Sequence, residues 1–347
     1  MVKIQKDKLQ ELLSLLGKER DIFLPVRNAG QTSFALWTPS AEVDFHTLKT
    51  VKSPKDVFFP QSETLYTCVK KEGRTHITPG EIKDRDFILF GIKMCDYKGI
   101  EVLDKVFLSR PVDSFYKERR EHGLIVCLAC NEPEESCFCS AFGTDALAPE
   151  GDVAMWQSEE NFYMDARTDR GAAFLDEIKD LVSVCDGDDE TVLAEIKSFA
   201  SGIMQKLPYG NLSLQGWKEK TLTEIFDSSL WQQLSKTCLG CGSCTFLCPT
   251  CQCYDIKDYN TGHGVQHYRC WDSCMYSDFT MMAHGNNRTE QYQRFRQRFM
   301  HKQVYFPENN EGMYGCVGCG RCVEKCPSGL NIVKVIKALE EEGKTDK

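Results

Sequence analysis

The sequence predicts an α/β domain over residues 1–225, followed by a mainly helical, cysteine-rich domain over residues 226–347. In the first part, short apolar segments typical of strands alternate with patterns of helical spacing. After about residue 225 the strand-like segments become rare and the cysteines become dense. A chain of 347 residues is long enough for two domains of ordinary size.

Apolar segments define the predicted elements of the first domain. Residues 86–92 and 123–129 are almost wholly apolar, as strands buried on both faces are. Because residues 97–108 between them show helical spacing, we expect a strand–helix–strand unit. Helices are also predicted over residues 171–180 and 189–207. Further strands are predicted over residues 21–26, 33–38 and 161–166.

The two ends of the chain show helical patterns. Residues 1–20 place leucines at helical spacing among charges and lack the unbroken apolar core of a secretion signal. They predict an amphipathic surface helix and a cytoplasmic protein. Further helices are predicted over residues 222–238, 288–303 and 329–344. The last of these would bury Ile332, Val333, Val335, Ile336 and Leu339.

The overall composition excludes some classes of partner. Hydrophobic residues make up 41% of the chain and charged residues 27%, as in soluble globular proteins. The net charge of −9 argues against nucleic acid or an anionic membrane surface as the main partner. No apolar run is long enough to span a bilayer.

A repeated cysteine motif carries the functional signal. The 19 cysteines are too many for disulfides in a reducing compartment, which favours metal ligation. "CLGCGSCTFLCP" at 238–249 matches "CVGCGRCVEKCP" at 316–327, and each follows C-x₂-C-x₂-C-x₃-C-P. This is the bacterial ferredoxin run, whose fourth cysteine ligates the other 4Fe–4S cluster. Cluster one is then held by Cys238, Cys241, Cys244 and Cys326, and cluster two by Cys316, Cys319, Cys322 and Cys248.

The main alternative to a ferredoxin-like dicluster domain is structural zinc. Zinc sites typically use paired C-x₂-C units that close one tetrahedron, whereas each run here has three spaced cysteines and a fourth before proline. The gap between Cys248 and Cys316 indicates an insertion between the two motifs. Motifs for dinucleotides, phosphate loops, covalent haem and serine nucleophiles are absent from the sequence. We therefore predict a non-catalytic electron-transfer subunit that works between partners.

A third cluster is predicted in the α/β domain. Cys95 and Cys130 each follow one of the two buried strands, and Cys137 and Cys139 lie in the loop that comes next. Neighbouring strands deliver such residues to one edge of a sheet. Buried free thiols are the alternative, although C-x-C beside proline and glutamate is a poor core pattern. Cys68, Cys127 and Cys185 are interpreted as structural.

The remaining cysteines leave several interpretations open. Cys251 and Cys253 follow the first run, and Cys270 and Cys274 lie in "CWDSC". They could bind a further cluster or a zinc ion, or surround cluster one. The nearby helix interleaves aromatic residues with cations, and these cations could offset the negative charge of the clusters. The cations are Arg288, Arg294, Arg296, Arg298 and Lys302.

Several stretches between residues 59 and 327 carry a family resemblance. They include "CDYKGIEVLD", "CNEPEESCFCSAFGTD", "CLGCGSCTFLCPTCQCYD" and "RCWDSCMYSDFTMMAHGNNR". The chain resembles the iron–sulfur protein family that is shared by the anaerobic sulfite reductases and, as their beta subunit, by the sulfhydrogenases. The family pattern includes positions matching the third-cluster cysteines and also Cys251, Cys253 and Cys274, but not Cys270.

The resemblance implies a relay of electrons in a cytoplasmic hetero-oligomer. Members of this family accept electrons from a flavin subunit that oxidises NAD(P)H and pass them to a catalytic subunit. We expect an anaerobic complex of the sulfite reductase type, with a hydrogenase or heterodisulfide-reductase-linked complex as the alternative. A zinc-stabilised interaction module is the alternative from a different class.

Overall fold

The computed structural model describes residues 1–82 and 85–345. The strands are β1 (Val2–Gln5), β2 (Asp21–Asn28), β3 (Gln31–Leu36), β4 (Ser62–Lys71), β5 (Arg74–Pro79), β6 (Phe87–Ile92), β7 (Gly123–Leu128), β8 (Val153–Gln157), β9 (Asn161–Ala166), β10 (Ser183–Val184), β11 (Tyr254–Asn260), β12 (Val265–Trp271), β13 (Met281–Met282) and β14 (Gly285–Asn286). The helices are α1 (Leu9–Leu16), α2 (Met94–Phe107), α3 (Ser114–His122), α4 (Asp169–Glu177), α5 (Gly187–Met204), α6 (Gln215–Glu219), α7 (Leu222–Asp227), α8 (Leu230–Ser235), α9 (Ser243–Phe246), α10 (Gln291–Met300), α11 (Phe306–Asn309), α12 (Arg321–Glu324) and α13 (Ile332–Thr345).

An eight-stranded sheet forms the N-terminal part, in the order β10-β1-β9-β8-β7-β6-β2-β3. Strands β2, β6, β7 and β8 run parallel, and the outer strands are antiparallel. The strand–helix–strand prediction is confirmed, because β6 pairs in parallel with β7 and α2 follows β6. Both strands are buried along their whole length. Ile88 and Leu89 pack into separate cores on opposite faces, as alternation along a strand requires.

The beginning of the chain differs from the predicted surface helix. Strand β1 comes first and pairs with β9 and β10. Helix α1 then buries Leu12, Leu13 and Leu16 against the sheet. The leucine periodicity is therefore that of a helix packed on the core, and the short apolar segment before it completes the sheet.

A second sheet runs in the order β11-β12-β4-β5 and connects distant parts of the sequence. Strands β11 and β12 lie between the two cysteine runs, and β12 pairs with β4 of the N-terminal part. The prediction of a mainly helical second domain missed this hairpin. Its strands, "YDIKDYN" and "VQHYRCW", are rich in polar residues and half exposed, so no apolar run marks them. Gly262, with φ of +81°, lies in the turn between them.

Helices surround the cysteine runs in the C-terminal part. The single helix predicted over residues 222–238 is divided into α7 and α8 around Ser228, whose extended ψ of 130° interrupts the helix. Helix α10 continues into a π-helical turn over His301–Tyr305. Trp231, Phe299 and Ile336 belong to the apolar core beneath the runs. The helix predicted at the C-terminus is confirmed as α13.

Candidate functional site

The two cysteine runs have the same local structure. Each run continues into a four-residue helix, α9 or α12. Gly242 and Gly320, directly before these helices, have φ of +76° and +79°. Glycine adopts this left-handed conformation without a steric penalty. In the first run, the backbone N–H of Gly240 donates to Cys238 Sγ at 3.4 Å, a contact that would stabilise Cys238 as a thiolate ligand.

The thiols of the second run lie beside Cys248, the last cysteine of the first run. Burial raises the pKa of Cys316, and the negative charge of Cys248 raises it further. Burial and the same neighbour also raise the pKa of Cys319. Cys322 interacts electrostatically with Cys248 in the same way. The structure therefore brings together the four cysteines assigned to cluster two.

Three of the four cysteines assigned to cluster one lie together in the first run. Burial raises the pKa of Cys244, with contributions from the charges of Cys238 and Cys241. The thiol of Cys326 contacts its own loop, where it donates to the carbonyl oxygen of Leu330 at 3.0 Å. The assignment of Cys326 to cluster one stays a prediction.

The cysteines of the proposed third cluster converge at one edge of the large sheet. Cys95 lies in the first turn of α2, just after β6, and Cys130 follows the parallel strand β7. Burial raises the pKa of Cys139 to about 12, and the charges of Cys130 and Cys137 contribute. Burial also raises the pKa of Cys95, which interacts with both Cys130 and Cys319. The third set therefore lies next to the cysteines assigned to cluster two.

The loop that carries Cys137 and Cys139 packs directly on the second run. The N–H of Phe138 donates to the carbonyl oxygen of Gly318 at 2.9 Å. A Cβ atom on Gly318 would lie 2.4 Å from the carbonyl oxygen of Phe138, so only glycine fits there.

Three of the four remaining cysteines lie together, and the thiol of one of them, Cys251, is hydrogen-bonded to the thiol of Cys248. Cys251, Cys253 and Cys274 line one cavity. Cys270 lies on β12, where it pairs with Asp255 of β11. The structure therefore leaves Cys270 outside this group.

The cysteines interpreted as structural lie on strands or near strand ends. Cys127 is buried in β7, where its thiol contacts Met94 Sδ at 3.5 Å. Cys68 lies on β4, and Cys185 follows β10.

Buried cations surround the thiols. Lys55, Lys93, Arg298 and Lys302 have exposed fractions of 3%, 7%, 4% and 4%. Within the described residues, none of the four forms an ion pair with a carboxylate. A buried charge without a counter-charge strongly destabilises a protein. These cations therefore require negative charge from the thiols or from a group that the thiols bind.

Arg321 contrasts with these unpaired cations. Its guanidinium donates to both carboxylate oxygens of Asp96, at 2.6 and 2.8 Å. Its Nε donates to the carbonyl oxygen of Thr50 at 3.1 Å. Arg321 thus links the second run to the N-terminal part through a bidentate ion pair.

The thiol sets fit iron–sulfur clusters in chemistry and in charge. Burial alone would lower the pKa of Lys302, but the charges of Cys248, Cys251 and Cys316 together raise it well above its usual range. Its ammonium lies 3.4 Å from Cys248 Sγ. Anionic thiolate-bound clusters would supply the negative charge that these cations need, and they would provide one-electron redox chemistry. Within the described residues, no group of three or more His, Cys, Asp or Glu side chains stands at single-ion spacing.

Sequence reasoning found some of these cations and missed others. Arg298 and Lys302 lie in the interleaved helix that predicted offsetting cations. Lys55 and Lys93 come from the N-terminal part as isolated lysines, and no sequence signal distinguishes them. Their burial beside thiols depends on the packing of the two parts of the chain.

Comparisons with known proteins agree with this arrangement. A family profile described as a 4Fe-4S dicluster domain matches residues 237–330. The sulfhydrogenase 2 subunit beta of Pyrococcus furiosus is 30% identical over 342 residues, covering 98% of each chain. No solved structure matches. None of the helices in residues 1–82 and 85–345 has the length and apolar character needed to cross a membrane. The chain therefore belongs to the iron–sulfur family of the sulfhydrogenase beta subunits, and it is an electron-transfer subunit of an oxidoreductase.

Proposed function

We propose that the protein relays electrons between a flavin subunit that oxidises NAD(P)H and a catalytic subunit of the hydrogenase type. The relative is named as a sulfhydrogenase subunit, which favours the hydrogenase alternative over the sulfite reductase type. The complex would be a cytoplasmic hetero-oligomer, since a chain with so many thiols needs a reducing compartment.

The contiguity of the thiol sets supports the relay. Cys244 of the first run interacts electrostatically with Cys322 of the second run. Cys319 of the second run interacts with Cys95 of the third set. Two ferredoxin-type clusters and a third 4Fe–4S cluster on these sets would form a chain of one-electron carriers. This chain would lead from the first run into the N-terminal part.

The first run would exchange electrons with a partner at the protein surface. Cys241 is exposed, and the neighbouring Leu239 is 70% exposed. Met281 and Met282 are also more than half exposed, at 58% and 57%. An exposed apolar side chain, Leu239, lies two residues from the exposed thiol of Cys241, so a partner that covered Leu239 would approach the first run. By contrast, Cys316 of the second run is only 9% exposed.

The substitution Leu239→Glu tests this surface in the assembled complex. We expect electron transfer through the protein to slow by about ten-fold, because a charge at the centre of an interface costs roughly 1.4 kcal/mol or more. Ile77→Glu is the matched control, since Ile77 is 64% exposed on β5, which lies at the opposite edge of the second sheet from β11. Equal rates for the two variants at equal iron content would contradict this role for Leu239.

A further inference from the structure

Arg298 interacts with thiols of both cysteine runs. Burial raises the pKa of Cys244 in the first run, and the charge of Arg298 is the largest influence that opposes this rise. The same holds for Cys322 in the second run, where a hydrogen bond from Arg298 adds to the effect of its charge. One guanidinium is therefore shared by a predicted ligand of cluster one and a predicted ligand of cluster two.

Thiols supply the strongest attraction that acts on the charge of Arg298. Burial alone would lower its pKa, and the four largest influences that raise it are the charges of Cys244, Cys322, Cys251 and Cys248. Arg298 is 4% exposed, and its Nε has no hydrogen-bond partner within the described residues. Because arginine stays charged in proteins, this buried charge needs a negative counterpart. Clusters on the two runs would supply that counterpart from both sides.

Helix α10 holds Arg298 against the core beneath the runs. The central carbon of its guanidinium lies 4.7 Å from the centroid of the Phe299 ring. The Phe299 ring in turn stacks on Trp231 in the same core. The core therefore supports the guanidinium from the helix side, and the thiol of Cys322 lies within reach of its N–H groups.

Two neighbouring cations of the same segment differ from Arg298. The largest attractive influence on Lys302 is Cys248, whose Sγ lies 3.4 Å from its ammonium, so Lys302 belongs with cluster two. Arg296 stacks on the Phe226 ring at 3.4 Å and donates to the carbonyl oxygen of Phe226 at 3.0 Å. Two residues along an α-helix rotate a side chain by about 200°, so Arg296 lies on another face of α10 than Arg298.

We propose that Arg298 sets the common reduction potential of clusters one and two. This inference rests on the proposed relay, because it needs a cluster on each run. A reduced cluster carries one more negative charge than an oxidised cluster, so a nearby cation favours reduction. Because Arg298 acts on both clusters, it raises both potentials and leaves the difference between them nearly unchanged. It thereby sets the driving force for electron exchange with partner subunits, and not the driving force between the two clusters.

Redox titration followed by electron paramagnetic resonance tests this proposal in the full chain purified anaerobically. In Arg298→Met, the equilibrium constant for one-electron reduction should fall by about ten-fold for each cluster, the equivalent of about 59 mV. Arg298→Lys keeps the charge and should keep most of both potentials. Arg296→Met is the matched control, since it removes the same charge from the same helix, and it should leave both potentials nearly unchanged. A shift of only one cluster in Arg298→Met, or of neither, would overturn the proposal.

A second variant covers the case in which Arg298→Met does not fold. Arg298→Gln also removes the charge, but its amide can still donate a hydrogen bond to the thiol of Cys322. The proposal predicts the same joint fall of both potentials, whereas potentials equal to those of the wild type would overturn it.

Iron content separates the failure of this proposal from the failure of the relay. At least about eight irons per chain with unshifted potentials would remove this role from Arg298 and leave the relay intact. A wild-type chain without iron would overturn both.

Discussion

The two cysteine runs share one sequence pattern and lie in opposite surroundings. The first run lies at the surface, with Cys241 exposed and Leu239 70% exposed. The second run is enclosed, with Cys316 and Cys319 only 9% and 8% exposed. The same position of the repeat holds Ser243 in the first run and Arg321, paired with Asp96, in the second. Identical ligands should therefore give two carriers with different potentials and accessibility, because solvent exposure and hydrogen bonds tune a cluster.

The largest expected difference concerns the equivalent glycines of the two runs. In Gly318→Ala the new Cβ would lie 2.4 Å from the backbone oxygen of Phe138, so the packed loop must move. In Gly240→Ala the nearest atom would be Gln291 Nε2 at 3.7 Å. Both glycines have positive φ, so both variants bear a strain of about 1–2 kcal/mol. We expect Gly318→Ala to lose at least about 3 kcal/mol of unfolding free energy, and Gly240→Ala only the strain.

Denaturant unfolding of the anaerobic holoprotein measures this difference. Equal losses of stability in the two variants would show that the C-F-C loop does not pack on the second run as described.

An intermediate effect is expected at Lys302, whose ammonium lies 3.4 Å from Cys248 Sγ. Lys302→Met removes a buried positive charge and so disfavours the more negative, reduced cluster. The potential of cluster two should fall by on the order of 100 mV. Lys325→Met is the control, because the Lys325 side chain is 48% exposed and screened by solvent. Redox titration followed by electron paramagnetic resonance measures both shifts, and similar shifts would contradict the enclosed setting of cluster two.

The smallest effect concerns a hydrogen bond in the first run. Ser243 Oγ lies 3.4 Å from Cys241 Sγ, where its hydroxyl would donate to a cluster thiolate. Ser243→Ala should lower the potential of cluster one by about 40 mV, the equivalent of about 1 kcal/mol for one electron. Cluster two should keep its potential in the same titration. If the potential of cluster one were unchanged, this hydrogen bond would not be a determinant of that potential.

The sequence predicted the 4Fe–4S dicluster domain and the buried strands well, because both are local signals. The repeat assigns cysteines by spacing, and β6 and β7 are continuously apolar. The β11–β12 hairpin was missed, since its residues are polar and its partner β4 is far away in the chain. Lys55 and Lys93 were missed for a similar reason. A lysine beside a cluster is recognisable only once the packing has buried it without a carboxylate.

The most direct test of the account is to measure metal and redox behaviour together in the anaerobically purified chain. The account predicts at least about eight irons per chain, with matching acid-labile sulfide. It also predicts a visible absorption that dithionite bleaches. Zinc without iron, and no absorption that dithionite bleaches, would contradict the relay and support a zinc-stabilised interaction module.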